Sequence, residues 1–156
     1  METGLLHLHS LLRWVILVLL VVSVVKSYTG WKQQKAFGPG DKKIWLFTMI
    51  AAHITLLLGL FQWLAGRYGL FTHQRPEGVS MMKSAFYRFY QLEHPLTMLI
   101  AIVMITLGHG MAKKAVSDDV KYAKAFRYFL IALVLILLRT PWPFMQEVGR
   151  GLFPGM

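Results

Sequence analysis

Long apolar runs separated by short polar segments dominate this sequence. The runs cover residues 5–25, 44–64, roughly 87–108 and roughly 126–142. An α-helix rises about 1.5 Å per residue and needs about 20 apolar residues to cross the hydrocarbon core of a bilayer. Each run reaches or approaches that length, so the pattern predicts four transmembrane helices.

The segments that connect the runs are short and polar. They contain turn-forming residues at 38–40 and 75–78 and a polar linker at 115–118. Short connections favour packing between sequential helices. The sequence therefore predicts one all-α domain over residues 1–156, an integral membrane four-helix bundle with up-and-down topology.

Composition supports the membrane assignment and narrows the chemistry. Of the 156 residues, 56% are apolar and only 15% are charged, which is unusual for a soluble domain. The chain has no cysteine. A disulfide framework, a thiolate zinc site, an iron–sulfur cluster and covalently attached haem are therefore excluded, and any metal or haem must use histidine, methionine or oxygen ligands.

The distribution of charge predicts the orientation. The chain has 17 basic and 7 acidic residues, and the basic residues lie between the apolar runs, so we expect a membrane and no nucleic acid partner. Cytoplasmic loops carry the excess of Lys and Arg, which places the first and third loops inside and both termini outside. The basic residues that flank these two loops are Lys26, Lys32, Lys35, Lys42, Lys43, Lys113, Lys114, Lys121, Lys124 and Arg127.

Four histidines lie inside or at the end of the predicted spans: His9, His53, His94 and His109. Ionisable side chains within a bilayer are costly and usually functional. At about 1.5 Å per residue, His9, His94 and His53 lie roughly 6, 10 and 16 Å below the outer boundary. His94 can therefore share a haem with His9 or with His53. His109 lies about 22 Å from His94 along the same helix, so we expect one haem rather than two.

The other two histidines are weaker candidates. His73 falls in a polar loop and is expected to be solvated. His7 lies two residues from His9, about 200° around the helix, so the two are not expected to face the same interior.

Charged residues collect at the same depth as these histidines. Arg13 follows His9 by four positions and shares its helix face, and Glu93 adjoins His94. One interpretation is that Arg13, with Arg139 near the outer end of the fourth span, binds haem propionates or a quinone head group. The alternative is an ion pair between Arg13 and Glu93 that joins two helices.

Uncharged residues extend the candidate site. Gln62 and Met98 can line the same cavity. Ala52, Gly59 and Gly66 recur at intervals of seven residues, which would let a helix or a flat cofactor approach the second span closely.

Five segments carry a resemblance to known proteins: HLHSLLRW at 7–14, AHITLLLGL at 52–60, EHPLTM at 93–98, GHG at 108–110 and PWP at 141–143. Together they resemble a family of small four-span bacterial membrane proteins labelled cytochrome b-like. The resemblance covers nearly the whole chain, and it implies a four-helix bundle in the bacterial inner membrane that holds b-type haem. It also implies that His9, His53, His94 and His109 are candidate ligands.

Three functions follow as hypotheses. The first is a b-type cytochrome that carries electrons in a respiratory or quinol-linked chain, as a carrier or oxidoreductase subunit, with quinone, other membrane subunits or a second copy as partners. The second is a protein that handles copper, zinc or iron through a site formed by His9, His53 and His94. The third is a structural subunit of a larger membrane complex. The sequence contains none of the motifs of hydrolases or nucleotide-driven enzymes.

Overall fold

The computed structural model describes residues 2–153, which form helices and loops and contain no β-strand. The third helical region is continuous but irregular, because a π-helical turn separates two α-helical parts. The helices are α1 (Glu2–Lys32), α2 (Pro39–Ala65), α3 (Ala85–Arg88), the π-helical turn Phe89–Glu93, α4 (His94–Gly110), a 3-10 turn Met111–Lys113 and α5 (Asp118–Arg139).

Three of these regions are long and apolar enough to cross a membrane: Thr3–Lys32, Pro39–Ala65 and Ala85–Lys113. Three of the four predicted spans are therefore helices that could cross a membrane, which makes the chain a candidate multi-pass membrane protein. The fourth predicted run, 126–142, overlaps α5, but α5 ends at Arg139. Pro141 disfavours the helical conformation at the preceding residue, and Thr140 is indeed extended. The first turns of α5 also carry charged residues, which shortens its apolar part: Asp118, Asp119, Lys121, Lys124 and Arg127.

Each long helix presents large apolar side chains on the outside of the bundle. Val18 of α1, Leu57 of α2, Val103 of α4 and Leu138 of α5 are all more than half exposed. In water such a surface would be unfavourable, whereas lipid tails solvate it. The exterior of the bundle is therefore suited to a bilayer.

The four long helices form a closed ring in which α1 packs against α2 and α5, and α4 packs against the same two helices. The Gln62 side chain near the end of α2 donates to the Leu5 carbonyl near the start of α1. Further along, the hydroxyls of Ser23 and Thr48 are 2.8 Å apart and bond across the same interface. In this ring α1 and α4 stand diagonally opposite each other.

The half of the bundle that contains the end of α1 and the start of α5 is closely packed. Trp45, Tyr122 and Phe129 are fully buried there, and their rings pack edge to face. Gly108 lets α4 approach α5, because a Cβ atom at this position would lie 2.7 Å from the Phe129 ring. The opposite half of the bundle is not filled in this way and contains a cavity.

Candidate functional site

A cavity of about 680 Å³ lies between the first half of α1, the second half of α2, the start of α4 and the residues after α5. Its volume is within the range of about 300–1,000 Å³ that is typical of sites for cofactors and small ligands. The deep end is apolar and includes Ile16, Ile102 and Ile105. The end near the helix termini is polar and includes Gln62 and Arg67. The cavity therefore suits an amphipathic ligand.

His94 lies in the wall of this cavity with one ring nitrogen held by the backbone. Its Nδ1 atom is 2.6 Å from the carbonyl oxygen of Arg139 at the end of α5. A carbonyl only accepts, so Nδ1 carries the hydrogen and Nε2 of the neutral ring keeps its lone pair. The ring also stacks on Phe89, with 5.7 Å between the ring centres. His94 thus has a defined tautomer and a defined orientation.

His9 reaches the same cavity from α1, diagonally across the bundle. Its Nδ1 atom is buried and has no hydrogen-bond partner among the described residues. Gly59 of α2 makes room for the ring, because a Cβ atom at Gly59 would lie 3.2 Å from His9 Cε1. A buried polar atom without a partner is unfavourable, so this nitrogen is a candidate ligand atom. The close approach to Gly59 agrees with the predicted role of that small residue.

The π-helical turn Phe89–Glu93 precedes His94 directly. Such turns are rare and are frequent at functional sites. This one is fixed by Trp63, whose indole donates to the Gln91 carbonyl at 2.9 Å, and by Arg75, which donates to the Gln91 side chain at 2.8 Å. With this turn in place, Tyr90 and His94 both line the cavity.

Arg13 lies in the cavity wall. One guanidinium nitrogen donates to the carbonyl of Leu152 at 2.7 Å, and the neighbouring Trp14 indole donates to the same oxygen at 2.9 Å. The Nε atom of Arg13 is buried and has no hydrogen-bond partner within residues 2–153. The segment 140–153 thus folds back from α5 and forms one side of the cavity, with Arg13 facing it.

Sequence reasoning missed Arg150, which this segment brings into the wall. Arg150 Nε donates to the Tyr90 hydroxyl at 2.9 Å, and that hydroxyl donates to the Val148 carbonyl at 2.6 Å. The described residues of the wall include three arginines, Arg13, Arg67 and Arg150, and a single carboxylate, that of Glu147. The polar end of the cavity therefore favours an anion.

Glu93 and Arg139 do not line the cavity, contrary to the prediction. Glu93 is 2.9 Å from Arg88 and 3.6 Å from Arg139, so these three residues pair with one another. The alternative ion pair between Arg13 and Glu93 is therefore not formed. Glu93 and His94 are consecutive on a helix and project in different directions, so only His94 faces inward.

His53 and His109 are also separated from the cavity. His53 Nδ1 is bonded to the Met49 carbonyl one turn earlier, at 2.8 Å, and the side chain is on another face of α2. His109 is buried at the far end of α4, and its Nδ1 has no hydrogen-bond partner in the described part of the chain. Within residues 2–153, no three His, Asp or Glu side chains converge to hold a metal ion. The predicted site of His9, His53 and His94 is therefore not assembled.

Three further expectations concern the cavity wall and the second loop. Gln62 and Met98 both contribute to the wall, as expected. His7 contributes as well, contrary to the expectation from helix geometry, because the cavity extends around this part of α1. His73 is only half-buried in its loop and bonds to the Tyr87 hydroxyl at 3.0 Å.

No protein-family model matches this chain, and neither do curated proteins or solved structures. The chemistry of the cavity wall is therefore the basis for assigning a function.

Proposed function

We propose that this protein binds one b-type haem between His9 and His94 and transfers electrons in a respiratory or quinol-linked membrane chain. The observation that carries the proposal is that these two imidazoles, from diagonally opposite helices, line one amphipathic cavity. Each retains a ring nitrogen that has no hydrogen-bond partner among residues 2–153.

The donor set fits axial ligation of haem iron. A ligating histidine almost always donates its other ring hydrogen to a carbonyl, a carboxylate or water, and His94 does so to Arg139. On the opposite side, Gly59 makes room for the His9 ring, whose buried Nδ1 atom has no hydrogen-bond partner within residues 2–153. Because the chain has no cysteine, histidine is the strongest ligand type available for this iron.

The polarity of the cavity wall fits the apolar ring and the carboxylates of a haem. The deep residues, such as Ile102 and Ile105, would surround an apolar ring and exclude water. Arg13 and Arg150 would bind carboxylates by charge-assisted hydrogen bonds. When bound, the haem supplies reversible one-electron chemistry, and the protein supplies ligands, low polarity and charge compensation.

The same proposal includes a topology and a location. We propose an up-and-down bundle in the bacterial inner membrane, with both termini outside. Hydrogen bonds between the start of α1 and the end of α2, and between the start of α4 and the end of α5, support antiparallel neighbours. The basic residues around the first and third loops support the orientation. Quinone or other respiratory subunits are the proposed partners, which makes the protein a carrier rather than a stand-alone enzyme.

The proposal is tested on the full-length protein purified in mild detergent. A reduced-minus-oxidised visible spectrum and a pyridine haemochrome assay are recorded together with metal analysis. We expect a b-type α-band and one haem per chain. A colourless preparation that contains stoichiometric copper or zinc would support the metal-handling alternative, and a colourless, metal-free preparation would leave only a structural role.

A further inference from the structure

A series of aromatic rings connects the cavity with the loop between α2 and α3. Phe89 stacks on His94 with 5.7 Å between ring centres, and Tyr90 follows at 5.1 Å from Phe89. Tyr68 lies 6.4 Å from Tyr90, and His73 lies 5.4 Å from Tyr68. Adjacent π-systems divide the distance between a buried redox group and the surface into short steps, so this arrangement is suited to electron transfer.

The outer end of the series reaches the surface. His73 is half-buried, whereas the flanking Thr72 and Gln74 are exposed. Its ring stacks on that of Tyr87, with 5.6 Å between ring centres and 29° between ring planes, and it is hydrogen-bonded to the Tyr87 hydroxyl at 3.0 Å. The imidazole is therefore held in place although it lies in a loop. The position is typical of a contact point rather than of a flexible surface side chain.

The loop between α2 and α3, which carries His73, combines exposed apolar and basic side chains, and we call its exposed surface the loop-two face. Phe71 is 81% exposed and Met82 is 55% exposed. The basic side chains of the face form no ion pair within residues 2–153, and Glu77 is the single acidic residue between α2 and α3. The face consists of Arg67, Leu70, Phe71, Arg75, Val79, Met82 and Lys83.

We propose that the loop-two face docks an acidic, soluble one-electron carrier protein, and that the aromatic series links this partner to the cavity. An apolar patch with a charged rim is the composition of a protein interface, and its charge selects a partner of opposite sign. Anionic lipid head groups would satisfy the basic residues, but they would give no role to rings that lead from His73 to His94. One electron leaves the reduced carrier and one arrives at the iron, with no bond broken and no proton moved. The inference rests on the proposed haem function.

Binding is measured first, because it does not require a functioning redox group. The full-length protein in detergent, with and without added haem, is titrated with an acidic flavodoxin, with a basic c-type cytochrome of similar size and with phosphatidylglycerol vesicles. We expect the flavodoxin alone to bind well, with an affinity that falls as salt is added. Preference for the basic cytochrome, or binding to the vesicles only, would overturn the proposal.

Charge reversal tests the location of the interface. The double variant Arg75→Glu/Lys83→Glu is expected to bind the flavodoxin at least about tenfold more weakly. The single variant Lys83→Glu leaves the bond from Arg75 to Gln91 intact and is also expected to bind more weakly than wild type. Lys43→Glu/Lys114→Glu makes the same change in net charge in the two predicted cytoplasmic loops and serves as the matched control. Equal losses in both variants would assign the effect to net charge and contradict a local interface. Arg75→Gln/Lys83→Gln repeats the test if the reversed variant fails to fold.

The ring series is tested by His73→Leu. We expect slower electron transfer from photoreduced flavodoxin when the rate is measured at saturating flavodoxin, where a change in affinity has no effect, and we expect an unchanged haem spectrum. Wild-type transfer rates in this variant would contradict a role for the rings. A wild-type protein that binds flavodoxin but never binds haem would refute the proposed function and the electron path while leaving the docking surface intact, so the two failures can be told apart.

Discussion

His94 Nδ1 donates a hydrogen bond to the backbone carbonyl of Arg139, with 2.6 Å between the nitrogen and the oxygen. The last carbonyls of a helix have no partner within the helix, so this bond satisfies a free acceptor at the end of α5. It also fixes the tautomer of an imidazole that begins α4. The end of α5 thereby orients the candidate ligand at the start of α4.

Gly59 is expected to control haem binding through His9. Replacing it with leucine places side-chain atoms where the His9 ring now lies, since even a Cβ would be 3.2 Å from Cε1. We predict that Gly59→Leu folds but loses most of its haem, measured as haem per chain by pyridine haemochrome. The matched control is Gly40→Leu in the same helix, where a Cβ would meet nothing within 4 Å. Wild-type haem content in Gly59→Leu would contradict the assigned position of His9.

Tyr90 is expected to hold the segment 140–153 against the cavity. Tyr90→Phe removes the bond to the Val148 carbonyl and the bond from Arg150, each worth about 1 kcal/mol. We predict faster hydrogen exchange in residues 148–153, measured by mass spectrometry, with little change in the helices. Tyr128→Phe serves as the control, because the Tyr128 hydroxyl makes no hydrogen bond within the described residues. Equal exchange in wild type and Tyr90→Phe would show that the segment is held by other contacts.

Asp118 is expected to make stability depend on pH at the opposite end of the bundle. The backbone N–H of Phe37 donates to its carboxylate at 2.9 Å and, with Lys121, lowers the pKa of Asp118 below its ordinary value. A carboxyl with a lowered folded-state pKa stabilises the fold above its unfolded pKa of about 4 and loses that contribution as the pH falls through the folded value.

The prediction is that Asp118→Asn melts at a lower temperature than wild type at pH 7. The difference should shrink when both proteins are unfolded at progressively lower pH below about 4. Asp119→Asn changes the same charge one residue further on and is the control. A difference between Asp118→Asn and wild type that stays constant over this pH range would contradict the role of the carboxylate.

Much of the fold follows from apolar length alone, whereas the end of α5 does not. The first three long helices were predictable because their apolar runs are long enough to cross a bilayer and contain few charged residues. The apolar run of α5 continues to Trp142, but Pro141 ends the helix earlier. The π-helical turn before His94 has no comparable sequence signal, because it depends on contacts from Trp63 and Arg75 in distant segments.

The level of each histidine along the bundle could be predicted from the sequence, but which histidines face the interior could not. Rise per residue gives the height of each histidine, but which side faces the interior depends on packing. Both His53 and His94 donate Nδ1 to a backbone carbonyl, but only His94 lines the cavity. The position of Arg150 in the cavity wall could not be predicted, because its segment has no periodic pattern. Glu93 forms an ion pair with Arg88 and therefore does not line the cavity.

The central claim is that His9 and His94 would hold the haem. The most direct measurement is the low-temperature electron paramagnetic resonance spectrum and haem content of four alanine variants, at His9, His94, His53 and His109. We predict that the first two lose the low-spin bis-histidine signal, and that His53→Ala and His109→Ala keep it at wild-type intensity. Retention of the signal in His9→Ala together with its loss in His53→Ala would contradict the account.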